Sequence, residues 1–228
     1  MLSIGACDTA FCGGLVEAWS GLEVVAACVS SVAGEETDHV LRRVLGEKLE
    51  HDQTRVHWLV PLAQGHGVIN QYEPCDGLGS DRYAALVAAH RRQETDWVVV
   101  NVGTAVTADM LTAEGVFLGG VIAPGPALMR SALDRGTASV RALEHAARVA
   151  QPRNTLAAVG TGIPWALWGV VEGMKREFQR TLGRTPNVLL SGGARHVLAP
   201  LLGEGVEQVN ELVLEGLAWI ARDLGYDA

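Results

Sequence analysis

The segment Asp96-Trp97-Val98-Val99-Val100-Asn101-Val102 constrains the fold more than any other stretch of this sequence. It is too short for a core helix and lacks the in–out alternation of a strand with one wet face. Such a run reads as a strand buried on both sides, which requires other layers to cover it. Leu22–Ser30 and Asn187–Leu190 have the same character. Between these runs lie segments of helical period. In Glu36–Glu50 the apolar residues Val40, Leu41, Val44, Leu45 and Leu49 recur three and four apart, so one face is apolar. Asp81–Arg92, Pro126–Ala147 (broken near Gly136), Thr161–Leu182, Val197–Leu201 and Glu211–Leu224 read as further helices. Leu2–Cys7 reads as a first strand, Phe11–Ser20 as a short helix or turn, and Val56–Val60 as a short strand. Val106–Thr112 and Val116–Ile122 read as a strand pair turning at Glu114-Gly115. Strands alternating with helices around one strand pair imply an α/β fold with mixed sheets. Two lobes are expected, residues 1–95 and 96–228.

Of the 228 residues, 48% are hydrophobic and 19% charged, enough apolar material for a sizeable core and against disorder. The net charge of −8 argues against broad nucleic-acid binding, which needs clustered Lys and Arg. No apolar run reaches the ~18 residues of a membrane helix, and no basic leader precedes the first residues, so a cytoplasmic protein without membrane contact is expected. Cys7, Cys12, Cys28 and Cys75 form no CxxC pair, and the seven histidines show no metal-ligand spacing. Trp165, Trp168, Val171 and Met174 read as one helix stripe facing core or interface.

Five constellations carry possible chemistry, each with a plain structural alternative. Val98–Thr107 ends a strand in Asn101, then Gly103-Thr104, where backbone N–H groups at a strand's carboxyl end can receive a ligand. Tyr72–Arg82 (YEPCDGLGSDR) joins a tight glycine loop to Asp81 and Arg82, and an Arg fork suits a carboxylate. The alternative there is a capped helix start. Leu118–Gly125 (LGGVIAPG) reads as close backbone packing. Asn154-Thr155 can cap a helix or touch a ligand. Leu189–Arg195 (LLSGGAR) is a strand running into a Gly-Gly turn that can seat a phosphate or an adenine.

Taken in order, Tyr72…LGSDR, VGTAVTAD, GxFLGGxIxPG, NT…G and SGGAR resemble the type III pantothenate kinases over residues 22–222, and VVAACVSSV resembles the strand that precedes their first long helix. The resemblance implies two ribonuclease H-like lobes of the sugar kinase–actin superfamily, with the N-terminal lobe shortened here. It implies ATP-dependent phosphorylation of pantothenate in coenzyme A biosynthesis, with Mg2+ and a monovalent cation (K+ or NH4+). It also implies a dimer whose pantothenate site lies at the subunit interface. By position, Tyr72, Gly79, Asp81 and Arg82 fall on the pantothenate side, and Thr155 matches the threonine that reaches the neighbouring subunit's pantothenate. Asp8, Thr9, Gly103, Thr104, Gly192 and Gly193 fall on the nucleotide and phosphate side, with Thr107 completing the GTAxT match. Asp109 matches an acidic position associated with the monovalent cation.

Three departures stand beside these matches. Where the family carries an Asp as the expected general base, this chain has Asn101. An amide cannot accept the hydroxyl proton, and losing a base costs about 3–5 kcal/mol of barrier. The opening Asp-x-Gly-Asn-Thr of the family, with its magnesium-organising Asp, is here Gly5-Ala6-Cys7-Asp8-Thr9. The hairpin over the phosphates has little room between Thr9 and Leu22. The expectation is a chain inactive or weak alone, completing the pantothenate site of an intact homologue in a heterodimer. The alternatives are an active homodimer with a relocated base, at Asp8 or Asp81, and a pantothenate-sensing protein without catalysis.

Overall fold

The computed structural model describes residues 24–49, 55–136, 148–203 and 205–226. The expected strand at Leu2–Cys7, the turn at Phe11–Ser20, Asp8, Thr9 and the second half of Pro126–Ala147 lie outside them. The chain divides into two compact units: residues 1–91 together with 213–228, and residues 92–212.

In the first unit, β1 (Ala27–Val29) pairs in parallel with β2 (Val56–Trp58). Between them in sequence runs α1 (Glu35–Lys48), with Glu35, Glu36 and Asp38 in its first turn, where negative charge meets the positive end of the helix dipole. Its stripe Val40, Leu41, Val44 and Leu45 packs on Ala27, Val29 and Val56. β1 is shorter than the apolar run Leu22–Ser30 suggests. Val25 is 63% exposed, so apolar composition outran pairing there. A hairpin, β3 (Gln64–Gly65) and β4 (Val68–Asn70), follows; the sequence reading missed it. Its two-residue turn is His66-Gly67 with φ of 54° and 87°. Two positive φ values in a two-residue loop match the twist of the flanking strands, and His66 is an unusual residue to carry one. α2 (Ser80–Arg92) is buried all round from Tyr83 to Ala89, which its alanine content allows.

The second unit holds the expected strand pair and more. β5 (Trp97–Val102), β6 (Ala105–Leu111) and β7 (Val116–Pro124) form an antiparallel meander. α3 (Pro126–Gly136) and α4 (Thr155–Leu182) follow. β8 (Asn187–Ser191) then pairs in parallel with β5, and β9 (Val206–Gln208) with β8. Within this unit the order is β7-β6-β5-β8-β9, with only β6 running opposite to the rest. That is the strand order of a ribonuclease H-like lobe. One sheet face, Val98, Val100, Val102, Val106, Ala108, Val188 and Leu190, packs on Leu167, Val171 and Met174 of α4.

α4 begins six residues before the expected start, because the Asn154 carboxamide accepts a hydrogen bond from Ala157 N at 2.8 Å and caps it. The tryptophans do not share its core stripe. Leu167, Val171, Met174 and Phe178 point inward, while Trp165 is 58% and Trp168 37% exposed. A strict three-residue repeat drifts round a 3.6-residue helix, and the core follows the alternating 4-3-4 spacing instead. The expected helix Val197–Leu201 is a 3-10 turn, Arg195–Val197, followed by the single-turn α5 (Ala199–Leu202).

The last helix, α6 (Leu212–Asp223), groups from Val213 onward with the first unit. Gly216 explains the docking: a Cβ there would lie 1.9 Å from the Ala84 carbonyl oxygen, so only glycine permits α6 to cross α2 this closely. Asp223 then accepts hydrogen bonds from Arg91 at 2.8 Å and 3.1 Å and faces His66 Nδ1 at 2.8 Å, tying helix end, α2 and hairpin turn together.

Two candidate half-sites

The first half-site is built on the entry to α2. Gly79 precedes the helix, and a Cβ on it would lie 2.6 Å from Asp81 Oδ1. The Asp81 carboxylate folds back here to accept the Arg82 amide at 2.8 Å. Asp81 is half-buried, whereas Arg82 is 5% exposed. The Arg82 guanidinium lies 5.5 Å from the centre of the Tyr72 ring, within cation–π range. A buried guanidinium needs anionic or aromatic company, and this one has a half-buried aromatic face beside it. Sequence reasoning paired Tyr72, Gly79, Asp81 and Arg82 as one site, and all four fall on this loop and helix start.

Two supports of this half-site were not foreseen. Asn70, 7% exposed at the end of β4, donates to the Cys75 carbonyl at 2.9 Å and accepts from Tyr72 N at 3.0 Å. Ser80, also 7% exposed, lies 2.8 Å from Ser30 Oγ and donates to the Ser31 carbonyl at 3.3 Å, joining the VSSV segment to the helix entry. Ser31 in turn donates to Asp38 of α1. Neither Asn70 nor Ser80 carries a sequence signal, since each acts through contacts set by the fold.

The second half-site lies at the carboxyl ends of β5 and β8. Asn101 is paired with Thr107 on β6 and with Ser191 on β8, so the three side chains form a polar row across one sheet face. It is the face opposite the Val98–Val100–Val102 core. Beyond the row, Gly103 N donates to the Ala105 carbonyl at 2.9 Å and Gly125 N to the Thr104 carbonyl at 2.8 Å. A Cβ on Gly125 would lie 2.1 Å from the Gly103 oxygen, which bears out the close packing read from LGGVIAPG. The Gly192 turn, with φ of 100°, presses on the same strand end: its Cβ would lie 2.6 Å from Asn101 Oδ1 and 2.4 Å from the Val102 oxygen. Gly193 faces open space, so a ligand can approach backbone there. Ala194 N donates to the Val102 carbonyl at 3.0 Å, and Arg195 donates to the Gly192 carbonyl at 3.2 Å while also binding Asn210. Arg195, unlike the glycines, was not among the expected site residues; it locks the turn.

The remaining expectations divide. Asp109 sits in mid-strand, 2% exposed, opposite Val99 on β5 and Gly120 on β7, two residues along from Thr107 on the same face. Thr155 is exposed in the first turn of α4, beside the capping Asn154. No group of three or more His, Cys, Asp or Glu residues poised for a metal occurs among the described residues. Asn101 brings a neutral amide to the polar row.

These features define a two-unit α/β protein with a buried arginine beside an aromatic ring in one unit and glycine turns at strand ends in the other. A family model described as type III pantothenate kinase matches residues 12–177. A type III pantothenate kinase of Paracidovorax citrulli is 37% identical over 214 residues, spanning 90% of this chain and 82% of that protein. That of Acidovorax ebreus is 39% identical over 211 residues, 89% of this chain and 79% of the relative. The Thiobacillus denitrificans protein is 43% identical over 165 residues. The fold is also similar to a solved structure from Campylobacter jejuni, described as a conserved Baf-family transcriptional activator. Its TM-score is 0.63 at 18% identity, covering 93% of this chain and 88% of that one. The chain belongs to the type III pantothenate kinase family of coenzyme A biosynthesis.

Proposed function

We propose that this chain serves as the pantothenate-gripping subunit of a heterodimeric pantothenate kinase, with an intact homologue supplying ATP, Mg2+ and the catalytic base. The observation that carries the reading is the contrast between its two half-sites. Arg82 is buried, stacked on Tyr72 and backed by Asp81, a geometry suited to holding a small carboxylate. The row Ser191–Asn101–Thr107 has the shape of a reacting site but carries no charge. Losing a carboxylate there removes the group that would take a proton or hold a cation, and no hydrogen-bond rearrangement of an amide restores it. Thr155, exposed on α4, is free to reach a neighbouring subunit, and the exposed Trp165 offers apolar surface on the same helix. The monovalent cation would fall near Asp109.

A homodimeric kinase is the second reading, favoured by one observation. Asp81 is a half-buried carboxylate directly beside the gripping Arg82, with only one of its oxygens engaged by the helix amide. It is placed to act as a base next to a bound pantothenate. A pantothenate sensor without catalysis is the third.

One assay separates them: ATP-dependent phosphorylation of pantothenate by the chain alone, by an intact homologue alone, and by the mixture. The heterodimer reading expects a mixture rate above the homologue's own, with Thr155→Ala in this chain depressing it. Turnover by the chain alone establishes the second reading and defeats the first. Pantothenate binding with no turnover in any combination leaves the sensor.

A further inference from the structure

The Arg82 half-site depends on a loop that is itself held by one buried side chain. Residues 71–79 connect β4 to α2 and carry the Tyr72 ring to the Arg82 guanidinium. Inside the loop, Gly77 N donates to the Pro74 carbonyl at 3.0 Å, closing a 3-10 turn at Cys75–Gly77. Asn70 holds this loop at two points: its Oδ1 accepts from Tyr72 N at 3.0 Å, and its Nδ2 donates to the Cys75 carbonyl at 2.9 Å. Its own backbone N donates to the Ala63 carbonyl at 2.9 Å, anchoring the residue to the preceding turn of chain. At 7% exposure, both halves of the carboxamide are spent inside the protein. A buried amide with all its strong bonds directed at one loop costs conformational freedom and desolvation, and its return is the shape of that loop.

We propose that Asn70 is a positioning residue for the carboxylate grip: by pinning Tyr72 N and the Cys75 carbonyl, it sets the Tyr72 ring against Arg82 and thereby fixes the direction of the guanidinium fork. The proposal rests on the reading of Arg82 as the pantothenate contact. Asn70 touches no substrate; it acts through Tyr72. An arginine fork that must meet a planar carboxylate loses affinity when it is free to swing, because the ordering is then imposed on binding. The stack on Tyr72 supplies that ordering in advance.

The test uses the full chain with Asn70→Leu, which keeps the branching at Cγ and removes both polar contacts, and Asn70→Asp, which keeps the acceptor for Tyr72 N. Two quantities are read: pantothenate affinity by calorimetry, and the Arg82 Nε–H signal by NMR without ligand, which reports the Tyr72 ring current. For Asn70→Leu the expectation is affinity weaker by about tenfold, the size of one lost well-placed polar contact, with the Arg82 signal moved toward that of Tyr72→Leu. Asn70→Asp, which loses the donor to the Cys75 carbonyl, should move the Arg82 signal part of the way. A folded Asn70→Leu chain with wild-type affinity and an unmoved Arg82 signal overturns the proposal. If Asn70→Leu does not fold, an Asn70→Asp chain with wild-type affinity and an unmoved Arg82 signal overturns it as well. Where the wild-type chain shows no pantothenate binding, the ligand reading has failed; the positioning claim then stands or falls on the Arg82 signal alone.

Discussion

Gly125→Ala should destabilise the second unit and displace the Gly103–Thr104 turn. The added Cβ would lie 2.1 Å from the Gly103 oxygen, 2.5 Å from the Thr104 oxygen and 2.9 Å from the Thr104 carbonyl carbon. All three are backbone atoms, so no side-chain rotation relieves the clash. An ordinary carbon–oxygen contact is about 3.3 Å, so the strands must part by about 1 Å. That displacement falls on the bond from Gly125 N to the Thr104 carbonyl, now 2.8 Å. Overpacking of this kind costs about 1–3 kcal/mol, and in a domain of this size each kcal/mol lowers Tm by about 2–4 °C. A fall of about 2–12 °C is expected in thermal unfolding followed by circular dichroism. The control is Gly162→Ala on α4, where nothing lies within 4 Å of the new Cβ and the residue is exposed. A helical Gly→Ala change without a clash stabilises by about 0.5–1 kcal/mol, so Tm should rise. A Gly125→Ala protein as stable as wild type would refute the reasoning, since it would mean that the β6–β7 end is not packed as tightly as the backbone distances require.

Two further outcomes follow from the titrating groups. Glu114 is held down to about 2, first by its hydrogen bond from Arg184, so its contribution is present above the ordinary carboxylate value near 4.5 and is lost as pH falls toward about 2. Arg184→Ala should flatten the loss of Tm over that acid window, and 0.5 M salt should shrink the difference, because Glu114 is 63% exposed; an unchanged Tm-against-pH curve counts against the Arg184–Glu114 contact. Burial pushes the Cys28 thiol up to about 11 from 9.0. Its thiolate fraction at pH 8 is then lower by about 100-fold, so iodoacetamide should label it about 100 times more slowly than free cysteine by peptide mass spectrometry. Labelling at the free rate would show that this half-buried thiol is not desolvated in solution.

Much of the second unit was legible in the sequence. The run Trp97–Val102, the strand pair around Glu114-Gly115 and the strand Asn187–Ser191 stand close to where apolar runs and glycine turns put them, because short buried strands are encoded by local composition. The helices α1 and α2 were equally plain, from apolar spacing and alanine content. The motif residues Tyr72, Gly79, Asp81 and Arg82 were readable as a group because they lie within eleven residues of one another.

What the chain could not announce depends on partners distant in sequence. The hairpin β3–β4 and the strand β9 are two or three residues long, too short for any period to appear. The return of α6 to the first unit turns on Gly216 meeting Ala84, 132 positions away along the chain yet close enough to exclude a methyl group. Trp165 and Trp168 read as one stripe with Val171 and Met174, facing core or interface, and only the 3.6-residue turn of α4 put them outside the Leu167–Val171–Met174 stripe. Asn101, Thr107 and Ser191 became one row through strand register, which no single segment specifies. Residue type and spacing settled which elements form and which chemistry each can offer; pairing register and close backbone approach, being properties of two segments at once, decided which of those groups stand side by side.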